Sequence, residues 1–310
     1  MKKYAISYVE TMVSRGCNLS CMGCTSFCDY PHTGVFAWKD VEKDFLSWSQ
    51  IIEPEVIGLI GGEPLLNPEI FIWIEGIRKY FEKSFILLVT NGLLYSKLEG
   101  VIYKLISNSP SKLMISLHKN EEEIKKCIEE IIKRSKYRFI KRVNHEELTN
   151  IEYILYDKTK KFSIQLRETD KFLKRYIGYG KDIFPYETND FADAFKICVD
   201  RPIIYKGELF RCGKIPFVQE TLRLMGKDDD ENAMGLWKKC LEYEALRCND
   251  NEEKKHAFFS SLHSPVPVCS TCPTEQDNAM ILHKENVYSK EDWHLKFLAQ
   301  ETSYEKSSIN

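Results

Sequence analysis

The sequence predicts an α/β chain: a partial (β/α)6 TIM-type barrel followed by a small C-terminal domain that contains a hairpin. Three observations carry that expectation. From residue 54 onward, short apolar runs alternate with longer amphipathic ones, the rhythm of parallel strands joined by crossover helices. The residues with special chemistry fall just after the apolar runs, at the edge where parallel α/β folds bind ligands. Beyond Arg142 the rhythm weakens, and cysteines return around a hairpin pattern beyond residue 190.

Taken in order, residues 56–60 read as a buried strand ending at Gly61-Gly62. Asn67-Pro68 opens a helix, with Asn as cap and Pro in the first turn. Ile70, Trp73, Ile74, Ile77 and Phe81 recur there at helical spacing. Residues 85–89 are the next strand, ended by Thr90-Asn91-Gly92 and followed by a helix to about Asn108. Residues 113–117 form a strand ending near His118. Asn120 then caps a helix with three glutamates in its first turn, a favourable arrangement against the helix dipole. Residues 151–156 and 162–166 read as two strands joined by a short turn, closing the barrel. Residues 176–186, rich in Gly, Tyr and Pro, read as a loop, and 236–248 as a helix between two charged, solvated segments. The expected organisation is a barrel over 1–190, a second domain over 191–300 and a frayed tail over 301–310.

Lys and Arg number 44 against 46 Asp and Glu, so the basic footprint of a nucleic-acid binder is missing. No run of 18 apolar residues marks a membrane span. No apolar run follows Met1-Lys2-Lys3-Tyr4, which predicts neither secretion signal nor anchor. The 11 cysteines are an odd number; with no signal and with clustered spacing, they point to metal ligation in a reducing cytoplasm rather than to disulfides.

Cys17, Cys21 and Cys24 are spaced C-x3-C-x2-C, and Gly61-Gly62-Glu63-Pro64 follows about forty residues later. Three clustered thiolates can hold three irons of a four-iron cubane and leave the fourth open to an outside ligand. This pairing resembles the radical S-adenosylmethionine (SAM) enzymes, over roughly the first 145 residues. The resemblance implies that the open iron binds the amino and carboxylate groups of SAM. It also implies that Gly61, Gly62, Glu63 and Pro64 hold the amino group, with Asn91 and Ser116 also at the cofactor. One electron then splits SAM into methionine and a 5'-deoxyadenosyl radical, which takes hydrogen from a substrate. The family often has an aromatic residue before the third cysteine, packed on the adenine; here that residue is Gly23.

A second set, Cys198-x8-Gly207-x4-Cys212 followed by Cys269-x2-Cys272, spans an apolar strand, a Lys-Gly turn and a returning strand. Such a hairpin brings its end cysteines together, and four thiolates suit either zinc or a 4Fe-4S cluster. The arrangement is similar to the twitch domain, the shortened SPASM domain of several radical SAM enzymes, and that likeness implies one auxiliary 4Fe-4S cluster. Of the remaining cysteines, Cys127 reads as packing, and so does Cys28, whose place after the cluster loop could also bring it near the site. Cys240 and Cys248 occupy the region where family epimerases keep a thiol that returns a hydrogen atom to the substrate radical; each could do that, replace a cluster ligand or simply pack. His118 reads as structural; Arg142 and Arg167 suit an anionic substrate or the surface equally.

The resulting expectation is hydrogen abstraction from a small polar metabolite of sugar or aminocyclitol type, ending in epimerisation or dehydrogenation. A flavodoxin- or ferredoxin-type protein would supply electrons. Only 16 residues precede the first cysteine, too few for a peptide-leader-binding domain. Maturation of a ribosomally made peptide is the alternative enzyme reading, and a non-enzymatic metal-binding scaffold the alternative of another class.

Overall fold

The computed structural model describes residues 3–144, 150–157, 159–168, 171–179, 182–198, 201–227 and 229–282. The expected tail over 301–310 lies outside the described residues. Strands β1 (Tyr4–Ser14), β2 (Ile52–Gly61), β3 (Phe85–Thr90) and β4 (Ser111–Leu117) are successive and parallel. Helices α1 (Trp38–Ile51), α2 (Ile70–Tyr80) and α3 (Tyr95–Ser107) connect them. Helix α4 (Glu121–Arg134) leads to β5 (Phe139–Asn144), β6 (Asn150–Leu155) and β7 (Phe162–Glu168). Short strands β8 (Lys171–Leu173), β9 (Ile177–Tyr179) and β10 (Asp182–Phe184) precede α5 (Phe191–Lys196). The hairpin β11 (Ile203–Tyr205) and β12 (Glu208–Phe210) follows, then α6 (Lys214–Leu224), α7 (Glu231–Leu241), α8 (Glu252–Ser261) and β13 (Met280–Leu282).

The main sheet runs β12-β11-β1-β2-β3-β4-β7-β6-β5. Strands β11, β1, β2, β3, β4 and β7 are mutually parallel, the partial barrel that the sequence pattern predicts. The sixth parallel strand has an unexpected source. It is β11, paired Glu10↔Ile203 and Thr11↔Ile204 with β1, whereas β6 is antiparallel to β7. The short link between β6 and β7 explains this, because a parallel return needs a dozen or more residues.

Each of the first four helices buries an apolar face. Trp38, Phe45 and Trp48 of α1 pack with Trp73 of α2, and Leu98, Val101, Ile102 and Leu105 of α3 with Ile124, Ile128 and Ile131 of α4. Each such side chain stabilises the fold by about 1.5–3 kcal/mol on burial. A second core joins Phe27 and Tyr30, from the loop after β1, to Tyr176, Phe217, Val218, Leu222 and Trp237. The cysteine-bearing loop is therefore packed on the C-terminal elements. Among the described residues, no helix is long and apolar enough to cross a membrane.

Other expectations need correction. Residues 176–186 hold the antiparallel pair β9–β10 instead of an irregular loop. The helix expected over 236–248 ends at Leu241, because Leu246 is drawn into backbone bonds with Leu209 of β12, 2.8 and 3.0 Å long. Asn67 does not cap α2, which begins at Ile70. Its Nδ2 donates to Val13 O at 2.8 Å and Phe36 O at 2.9 Å, stitching three segments together.

Candidate active site

Strands β1, β2, β3 and β4 end at Ser14, Gly61, Thr90 and Leu117 on one edge of the sheet. The loop after β1 carries Cys17, Cys21 and Cys24 there, none of them in a disulfide. The end of β2 passes directly against it: Gly62 N donates to Ser14 O and Glu63 N to Gly16 O, both at 2.8 Å. A Cβ on Gly62 would stand 2.3 Å from Gly16 O and 2.8 Å from Cys17 Cβ. One on Gly61 would stand 2.7 Å from Ser14 O. The glycine pair is what permits this approach. Asn91, just past β3, turns its Nδ2 to Asn18 Oδ1 at 2.7 Å and Cys17 Sγ at 4.0 Å.

Glu63 is fully buried. Its Oε1 accepts from Leu65 N at 2.8 Å and Thr90 Oγ1 at 2.6 Å, and its Oε2 from Asn91 N at 2.8 Å. Burial raises its pKa against those bonds. The carboxylate expected to hold a ligand is engaged by protein donors, and it locks the end of β2 to the end of β3. Pro64 opens the buried turn after it. Ser116 is half-buried near the end of β4, and the ring of His118 lies 5.6 Å from Phe172 of β8.

The far side of the loop is tied down by groups that no spacing pattern marks. Gly23 takes φ +74° and donates its N–H to Asp29 Oδ2 at 3.1 Å; a Cβ there would meet Ile281 Cδ1 at 2.7 Å. The position is thus glycine for two reasons, a left-handed backbone and the strand β13 lying against it. Buried Asp29 also accepts from Tyr176 Oη at 2.6 Å. Burial first, then the neighbouring Cys24, pushes its carboxyl up to about 7. Cys28 lies against Cys24: its thiol lowers the Cys24 pKa, while its own is raised. Arg15 donates from Nη1 to Ser26 O at 2.7 Å and pairs through Nε with Glu220 of α6 at 2.9 Å.

The second set also comes together. Cys198 after α5, Cys212 after β12, and Cys269 and Cys272 around the turn Pro267–Thr271 line one cavity of about 50 Å³. Among the described residues, no three Cys, His, Asp or Glu side chains close round a single metal ion. Two buried cations share the lining, Lys214 and Arg211, 1% and 7% exposed. Lys214 Nζ donates to Thr271 O, to Thr271 Oγ1 at 3.1 Å and to Cys272 Sγ at 3.5 Å. Arg211 donates to the carbonyls of Ser261 and Ser264 and lies over the Phe195 ring. No carboxylate is among these partners. Buried charge of one sign is costly unless paired, so the lining fits a group that turns the four thiols into thiolates.

Residues 11–154 match the Radical SAM superfamily, a span that takes in the three loop cysteines, Gly61-Gly62-Glu63 and strands β2, β3 and β4. This chain carries a radical SAM domain. Two solved structures are similar to it. One, BtrN in complex with AdoMet and 2-DOIA, has 15% identity and a TM-score of 0.46, with 88% of this chain and 95% of that chain covered. The other, selenomethionine BtrN in an open conformation, has 14% identity and a TM-score of 0.42, with 88% and 94% covered. No curated protein matches.

The two remaining candidate cysteines lie in the two cores. Cys240 is sealed in the core, its Sγ 3.6 Å from Thr271 Oγ1, and burial raises its pKa. Cys248 is half-buried against the main core near Asp44 of α1 and Lys255 of α8; burial first, then Asp44, pushes its thiol up to about 12.

Proposed function

We propose that this radical SAM enzyme takes hydrogen from a small polar metabolite of sugar or aminocyclitol type and oxidises it, with an auxiliary 4Fe-4S cluster on the C-terminal side. The observation that carries this reading is the cavity where Cys198, Cys212, Cys269 and Cys272 meet two buried cations with no acid partner among the described residues. Cys17, Cys21 and Cys24 would hold the SAM-binding cluster. When bound there and reduced by a flavodoxin- or ferredoxin-type donor, it supplies the electron that splits SAM into methionine and a 5'-deoxyadenosyl radical.

The chain's own residues set the geometry. Gly61 and Gly62 let backbone approach the cluster loop, Asn91 braces Cys17, and Glu63 acts as a positioning group between β2 and β3. Asp29 and Tyr176 hold the loop at Gly23 from its buried side, and Lys174, its Nζ on Gly178 O at 2.8 Å, lays its stem close by. Burial lowers Lys174 to about 8. Dehydrogenation is favoured over epimerisation because Cys240 has no exposed surface and Cys248 packs beside α1 and α8. Cys240→Ala and Cys248→Ala should therefore each keep product formation within a few-fold of wild type. Loss of product with hydrogen abstraction intact, in either variant, would return the reaction to epimerisation.

The test of the reading is anaerobic iron and sulfide content. Wild type should hold about eight irons, and a Cys198/Cys269→Ala variant about four. About four irons and one zinc in wild type would make the second site structural and remove the oxidative proposal.

A further inference from the structure

Lys214 is the most buried lysine among the described residues. Buried Lys255 has Glu252 at 3.0 Å, and buried Arg15 has Glu220. Lys214 has instead Thr271 O, Thr271 Oγ1, Cys272 Sγ and the Trp237 ring, 5.4 Å from its Nζ. It also begins α6, where the helix dipole disfavours a cation. Hydrogen bonding alone does not account for a charge in that position, since a neutral amide could donate to Thr271 O equally well. What a neutral side chain lacks is the charge itself, held against a cysteine sulfur.

We propose that Lys214 raises the reduction potential of the group held by Cys198, Cys212, Cys269 and Cys272, making that group an electron acceptor. This rests on the reading of the cavity as an iron-sulfur site. A fixed positive charge and an N–H donor at a ligand sulfur both favour the form that carries the extra electron. The ammonium lies on Cys272, the last of the four ligands, and the Thr271 carbonyl holds it there. Arg211, bonded to the Ser261 and Ser264 carbonyls, contributes charge to the same cavity.

The experiment is a potentiometric titration followed by electron paramagnetic resonance on the anaerobic full chain. It is run in a Cys17/Cys21/Cys24→Ala background, so that one cluster gives the signal. Lys214→Gln should keep its iron and shift the reduction equilibrium at least tenfold toward the oxidised form, which is about 59 mV for a one-electron couple. Lys214→Arg should return the wild-type potential. An unmoved potential in Lys214→Gln overturns the inference, as does a Lys214→Arg shift as large as that of Lys214→Gln. If Lys214→Gln sheds its iron, Lys214→Arg decides: wild-type iron and potential sustain the inference, and loss in both overturns it. A background protein with no iron overturns the iron-sulfur reading, and the inference falls with it.

Discussion

Cys17→Ala is expected to abolish SAM cleavage. Cys17 is the third residue after β1, and its sulfur accepts from Leu19 N at 3.4 Å and faces Asn91 Nδ2 at 4.0 Å. It lies against the ends of both β2, at Gly62, and β3, at Asn91. Alanine there leaves two thiolates, Cys21 and Cys24, for a cluster that needs three to present an open iron. Cys28, which lies against Cys24, has its own bonds to Arg15 O and Ser26 O at 3.4 and 3.5 Å. It is not expected to replace Cys17. The measurement is 5'-deoxyadenosine released under strong reductant, alongside iron content. No nucleoside product, with about four irons retained at the second site, is the expected outcome. Wild-type turnover in Cys17→Ala would sink the assignment of the loop as the SAM-binding site. A folded Cys17→Ala with wild-type iron would instead implicate Cys28 as a substitute ligand.

The part of the fold read from sequence is the part written locally. Strands β2, β3 and β4 and the helices after them show their period within a dozen residues, because each buries one face in a shared core. The strand β1 was missed because its pattern mixes Glu10, Thr11 and Ser14 with apolar residues, and these polar groups sit at a strand end that becomes site. The helix α1 escaped because Lys39, Asp40, Glu42, Lys43 and Asp44 dilute the stripe of Trp38, Phe45 and Trp48. The sixth parallel strand, β11, is legible as an arm of the hairpin but not as a member of the barrel, since its pairing with β1 joins residues far apart in the chain. In the site, the cysteines and the glycine pair were legible because their spacing follows from their chemistry. Asp29, Tyr176, Lys214 and Arg211 were not: a charged or phenolic residue ordinarily lies at the surface, and only folding shows which ones are buried against a cysteine.

Gly62→Ala should cost nearly as much as losing a cysteine, by a different route. The added methyl carbon would lie 2.3 Å from Gly16 O, 2.6 Å from Gly16 C and 2.8 Å from Cys17 Cβ. Two of these neighbours are backbone, so no side chain can rotate away, and the end of β2 or the cysteine loop must move. Moving it breaks the 2.8 Å bonds from Gly62 N to Ser14 O and from Glu63 N to Gly16 O. Glu63 is carried with it, although its carboxylate is fixed by Leu65, Thr90 and Asn91. Overpacking of this kind costs about 1–3 kcal/mol of stability. Misplacing a reacting site by roughly 1 Å costs about a hundredfold in rate, so function should suffer more than folding. Gly235→Ala is the control: it lies within α7 with nothing within 4 Å of its added carbon. That change should leave SAM cleavage intact and stabilise the helix by about 0.5–1 kcal/mol. SAM cleavage and thermal unfolding of the two variants, measured together, separate the causes. A hundredfold loss of cleavage in a folded Gly62→Ala would mean that the glycine pair serves the approach of β2 to the cluster loop. Near-normal cleavage would mean that the loop yields at little cost, and that its position is held instead by Arg15, Asp29 and Tyr176 on the other side.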